Sequence, residues 1–360
     1  MNSIGIVTWH YYENFGSALQ AFAMQGTICS LGYKAEFINY HNPKYGKING
    51  TKEFIKCACD LLLGYFSDRF RFGSIRFLKR YLYQGAKTLE VEKLPELAAK
   101  YDAIICGSDQ IWAPNVFNPV YFASFAKPET RKISYAASVG LNDIPQDLVP
   151  EYKRLLSDFS AISTREDEGK VLLKERCGID STVVLDPTLL HDAVFYKRIQ
   201  RRVQGIKGKY LFCYFLNENH HYREKVEKYA RAHGLQIVGV SARLDDGGWM
   251  KRLTNLGADH FLWLIDHAEA VMTDSYHGTI FSLLYHKDFW TFVRFAEDSP
   301  ICQNSRIRQL QSYFGNNVRI VGQKDDIDEL TEPNFSDFEE RLSPLRSASL
   351  DFLKTALKSC

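Results

Sequence analysis

The chain has no CxxC pair: its eight cysteines, at 29, 57, 59, 106, 177, 213, 302 and 360, are scattered over 360 residues. Such spacing fits reduced, mostly buried thiols and offers structural zinc no ligand set. Cys57 and Cys59, just before Leu61-Leu62-Leu63, read as core packing. No apolar run reaches the roughly 18 residues of a membrane span, because Arg, Lys, Asp or Gly interrupts each one. The opening residues Met1 to Val7 lack the basic start and cleavage site of a signal peptide, so the expected location is the cytoplasm. Charge of one sign is also missing: 45 Lys+Arg against 43 Asp+Glu leave +2, and no global field draws the chain to nucleic acid. GxGxxG, GxxxxGK[ST], HExxH and GxSxG are absent, which leaves NAD, P-loop, zincin and hydrolase-elbow readings without support. No clustered carboxylates or His/Cys set calls for a metal or another cofactor.

What is present is a large core, 45% hydrophobic and 14% aromatic. The length suggests two domains of roughly 150–200 residues. Short β-branched runs alternate with helix-period segments: Ile4–Trp9, Asn14–Cys29, Ala35–Tyr40, Asp102–Cys106, Lys132–Ala137, Leu148–Asp158, Ala161–Thr164 and Asp167–Arg176 form a first series. A second series runs through Tyr210–Tyr214, His220–His233, Leu235–Val240, Phe261–His267, Ala270–Thr273, Gly278–Tyr285 and Phe289–Phe292. This rhythm predicts an α/β protein with two doubly wound halves, 1–165 and 166–334, and a tail helix, 335–360, packing back across the first half. Residues 193–217, basic and free of acid, read as a solvated linker. Segment 69–83 interleaves base and aromatic residues. It reads as helices with aromatics inward, or as a peripheral contact with an anionic inner-membrane face through Arg71, Arg76, Lys79 and Arg80.

In an open α/β sheet the ligand crevice lies outside the carboxyl ends of the strands, so three strand-to-helix corners carry the chemistry. In the first, Asn14 or Ser17 caps a helix while Gly16 permits close backbone approach and Gln20 follows one turn on. The second, Gly107-Ser108-Asp109, offers a carboxylate for sugar hydroxyls, with Trp112 as an apolar platform. The third, Asp274-Ser275-Tyr276-His277-Gly278-Thr279, puts His277 at a helix N-terminus that attracts phosphate. Arg165, at a strand end, and Arg306, near a helix start, supply guanidinium for carboxylate or phosphate; a salt bridge to Glu166 or Asp167 is the alternative for Arg165.

WHYYENFGSALQAFA, YDAIICGSDQIW, RKISYAASVG, STREDEGKVL, FLWLIDHAEAVMTDSYHGTIFSLLY and NSRI, in this order, resemble the polysaccharide pyruvyl transferase family from residue 4 to about 320. The resemblance implies a GT-B-like fold of two Rossmann-like halves facing a cleft, acceptor on the first and donor on the second. It implies phosphoenolpyruvate as donor and a hydroxyl pair of a sugar or lipid-linked oligosaccharide as acceptor, joined as a ketal. The family's histidine falls on His277, its strand-end arginine on Arg165, and its amino-terminal motif on Asn14, Gly16 and Gln20. Some members carry an arginine two residues before the histidine, where this chain has Ser275; Arg294, Arg306 and the amides around Gly278 and Thr279 are the candidates to meet the donor's charge instead. Nucleotide-sugar glycosyl transfer on the same fold, or carbohydrate binding without chemistry, are the alternatives.

Overall fold

The computed structural model describes residues 2–11, 14–42, 71–217, 220–241, 249–253, 255–297, 299 and 302–358. Its first sheet is parallel with strand order β2-β1-β3-β4-β5: β1 Ser3–Val7, β2 Lys34–Phe37, β3 Ala103–Cys106, β4 Arg131–Ser134 and β5 Phe159–Ala161. The second, also parallel, runs β10-β9-β8-β11-β12-β13, from β8 Tyr210–Phe215, β9 Gln236–Ser241, β10 Lys251–Arg252, β11 Ala270–Thr273, β12 Asp288–Phe292 and β13 Ile320–Val321. A short pair, β6 Ser163–Thr164 and β7 Thr182–Val183, joins them. In each large sheet the order in which strands are added reverses once, between β1 and β3 and between β8 and β11, and these switch points open the crevices. The strands are buried on both faces and therefore read as continuous rather than alternating apolar runs.

The helices are α1 Phe15–Ser30, α2 Arg71–Tyr81, α3 Leu94–Ala98, α4 Val149–Leu156, α5 Asp167–Leu172, α6 Ala193–Lys197, α7 His220–His233, α8 Ala258–Asp266, α9 Tyr276–Leu284, α10 Ser305–Phe314 and α11 Phe338–Lys358. Helix α1 is buried on nearly every side because it lies between the first sheet and the helices of the second half. Phe15 stacks on Phe261 with centroids 5.0 Å apart, and Phe22 meets Phe195 at 5.1 Å. One hydrophobic core thus runs through both halves.

The differences from expectation are local. The strand expected over 161–164 splits into β5 and β6, which pair in different sheets. Helix α8 starts at Ala258, three residues early, because the His260 imidazole accepts the Gly257 N–H. The division expected at residue 166 falls inside one layer: Leu173 and Cys177, just after α5, pack with Tyr152 and Leu155 of the first half. Helix α11 crosses between the halves, with Phe338 on Phe314 at 5.1 Å and Phe352 on Tyr135 at 6.5 Å. In α2, Phe77 and Leu78 are buried while Lys79 and Arg80 face water. Cys57, Cys59, Cys360 and residues 69 and 70 of the basic-aromatic segment lie outside the described residues. No described helix is long and apolar enough to cross a membrane.

Candidate active site

The corner after β11 is built from its own hydrogen bonds. Asp274 accepts the N–H groups of Leu216 (2.7 Å) and Asn217 (3.1 Å), tying the ends of β8 and β11 together at the switch point. Ser275 is the N-cap of α9: its hydroxyl accepts the Gly278 N–H at 3.3 Å and its carbonyl takes the Thr279 N–H at 2.9 Å. Gly278 admits no side chain, since a Cβ would stand 2.4 Å from Thr273 Oγ1. Thr279 bonds Thr291 at 2.8 Å and is wholly buried. Ser275, Gly278 and Thr279 therefore frame the corner, and His277 projects from the first turn, where the macrodipole favours anions.

His277 meets both halves. A Cβ on Gly16 would lie 2.2 Å from its Nδ1, so the glycine at the start of α1 is the floor under the imidazole. Its Nε2 stands 3.5 Å from Asp186 Oδ2. The same oxygen accepts Arg165 Nη1 at 3.0 Å and the Ser108 hydroxyl at 3.3 Å, while Oδ1 holds the Thr188 N–H and hydroxyl at 3.0 and 2.7 Å. Burial alone would raise the Asp186 pKa, but His277, Arg165 and Thr188 together hold it well below the usual carboxylate range. Arg165 pairs with this aspartate rather than with Asp167, and its Nε lies 3.6 Å from Glu166 Oε2. Its guanidinium carbon sits 4.6 Å from the Tyr276 ring centroid, and its buried Nε and Nη2 have no hydrogen-bond partner.

The first two corners interlock beside this centre. Asn14 caps α1 through the Ser17 N–H at 3.2 Å, and Ser17 donates to Asp109 Oδ2 at 2.5 Å. Gln20 is wholly buried and spends its amide on Thr8, Trp9, Ser17 and Ser108, fixing the two loops instead of lining the cleft. Gly107 has φ 122° and passes so close to the Tyr135 carbonyl that a Cβ would stand 2.1 Å from it. The expected apolar platform is not one: Trp112 is fully buried, stacked on Phe122 at 5.2 Å, with its indole N–H on the Tyr121 carbonyl. Arg294 and Arg306 stand apart, lining a cavity of about 330 Å³ that Tyr276 also borders.

Sequence reading passed over Asp186, the hub of the arrangement. Asp186-Pro187-Thr188 announces an Asp-capped turn, but the Arg165 and His277 contacts are tertiary. Gly16→Ala is expected to move the His277 imidazole resonances in NMR and to cost about 1–3 kcal/mol in urea denaturation through overpacking. Unchanged resonances would refute the close contact.

Two solved structures of similar fold bracket the architecture. The UDP-GlcNAc 2-epimerase of Neisseria meningitidis, bound to UDP-GlcNAc, aligns over 99% of this chain and 100% of its own with TM-score 0.53 and 12% identity. The S. aureus MnaA–UDP structure aligns over 97% and 91% with TM-score 0.52 and 9% identity. At such identities the likeness establishes the GT-B-type fold alone. No curated protein matches the chain. The model of the polysaccharide pyruvyl transferase family matches residues 14–294, across all three corners, Arg165 and Asp186, and the chain belongs to that family.

Proposed function

We propose that the protein transfers the pyruvyl group of phosphoenolpyruvate to two hydroxyls of a sugar acceptor as a ketal. The observation that carries this reading is the meeting of Arg165 and His277 on one buried carboxylate, with donor atoms of the arginine left free. Nε2 of His277 faces Asp186, so Nδ1 is the nitrogen assigned to the ligand. It delivers a proton to the methylene carbon of the donor while one acceptor hydroxyl adds to C2. The C2–O bond to phosphate then breaks and the second hydroxyl adds to C2. Of the two hydroxyl protons, one leaves with the phosphate and one restores His277. Nη2 of Arg165, which has no hydrogen-bond partner, holds the carboxylate. Asp109 and Asn14, joined through Ser17, orient the sugar.

Calorimetry with phosphoenolpyruvate, UDP-sugars and GDP-sugars tests the donor. Phosphoenolpyruvate should bind, and Arg165→Ala should weaken it at least tenfold through loss of a charge-assisted pair. Selective binding of a nucleotide sugar would replace this reading with glycosyl transfer.

A further inference from the structure

Tyr276, whose ring Arg165 covers at 4.6 Å, also borders the cavity of about 330 Å³ between the β12 end and the start of α10. Arg306 lines it, only 8% exposed, and alone among the described buried arginines has no carboxylate within ion-pair distance. One amino group donates to Gln303 Oε1 at 2.6 Å; its Nε has no partner. The other charges in the wall are accounted for. Arg308 and Glu297 pair at 2.6 Å, and Arg294 faces Asp274, whose oxygens also hold two backbone N–H groups. Burial, with Arg165 and Arg294 nearby, pushes the Arg306 pKa down to about 10, the direction expected of a cation short of an anion.

Two further features point the same way. Helix α10 begins here, and its Asn304 N-cap turns its side-chain amide to the Phe295 carbonyl and Glu297 instead of capping the helix. The Ile307 N–H turns to the Asn304 carbonyl at 3.0 Å, and the N–H groups of Ser305 and Arg306, in the first turn of this ten-residue helix, take no side-chain cap. Arg306 also lies over the same Tyr276 ring as Arg165, at 5.6 Å against 4.6 Å. Two guanidiniums addressing one ring are the arrangement that a small molecule with two anionic ends would engage.

We propose that this cavity is a phosphate-monoester subsite with Arg306 as its principal charge, leaving Arg165 to the carboxylate of the same donor. The division of labour rests on the pyruvyl-transfer reading; the phosphate subsite itself does not. It also explains how the chain does without an arginine at position 275: the positive charge comes from α10, and Ser275 is released to cap α9.

The test uses inorganic phosphate and pyruvate as half-ligands on the full chain, followed by calorimetry or NMR titration. Phosphate should bind the native protein, lose at least tenfold in affinity in Arg306→Gln and change little in Arg165→Ala. Pyruvate should show the opposite pattern. Removing a buried, unpaired cation should leave the ligand-free fold as stable or more so, and Arg306→Lys, which keeps charge but loses the fork, should bind phosphate with intermediate affinity. Equal phosphate affinity in native protein and Arg306→Gln overturns the subsite. So does a pyruvate loss confined to Arg306→Gln. Preference for a nucleoside diphosphate over phosphoenolpyruvate, with the phosphate pattern intact, would keep the subsite and remove the donor reading.

Discussion

His277→Gln should lower turnover about a hundredfold to ten-thousandfold, the usual worth of a positioned general acid, while leaving the protein folded. The fold survives because Ser275, Gly278 and Thr279, and not the imidazole, close the first turn of α9. Asp186 also keeps Arg165 at 3.0 Å when the imidazole is gone, so no buried charge is orphaned. Phosphate released from phosphoenolpyruvate with a glycan mixture as acceptor measures the rate, and urea denaturation checks the fold. Turnover within twofold of the native protein would remove His277 from the chemistry.

Asp186→Ala should have the largest effect on stability. It leaves Arg165 buried without its closest counter-ion, a loss of about 3–5 kcal/mol, and also removes both bonds from Thr188. Asp186→Asn, which keeps an acceptor for Thr188, should cost less. The native protein carries the matching pH signature. The Asp186 pKa is held below its unfolded value, so its contribution is complete above about pH 4–5 and drains away as the pH falls towards the folded-state pKa. Stability followed from pH 6 to pH 3 should therefore decline more steeply for the native chain than for Asp186→Asn. Parallel curves, or a cost of Asp186→Ala below about 1 kcal/mol, would show that the carboxylate is not the hub.

The architecture was legible because parallel strands and amphipathic helices are written locally. AIIC, YLFCYF and AVMT can be little else than buried strands, and the Asn14 cap sits directly before its helix. The corners were legible for the same reason, since strand ends and helix starts are where polar residues accumulate. What stayed hidden depends on contacts far apart in sequence. Asp186 meets Ser108, Arg165 and His277 only once both halves are packed. Gln20 looked like a ligand-facing residue one turn into α1, yet burial turned it into a fastener for two loops. Trp112 read as a sugar platform because its position beside a polar turn says nothing of Phe122 stacking over it.

Helix α11 has a consequence for how the protein is made. Ser349 accepts the Leu185 N–H at 3.0 Å and Arg346 donates to the Leu189 carbonyl at 2.9 Å, so residues 338–358 clasp the backbone on either side of Asp186. Synthesis proceeds from the amino end and domains tend to fold as they emerge. A nascent chain that has displayed every one of His277, Arg165 and Asp186 still lacks that clasp. Completion of the site is thereby deferred until residues 338–358 have emerged, and translation products truncated before them carry His277, Arg165 and Asp186 without the assembled centre.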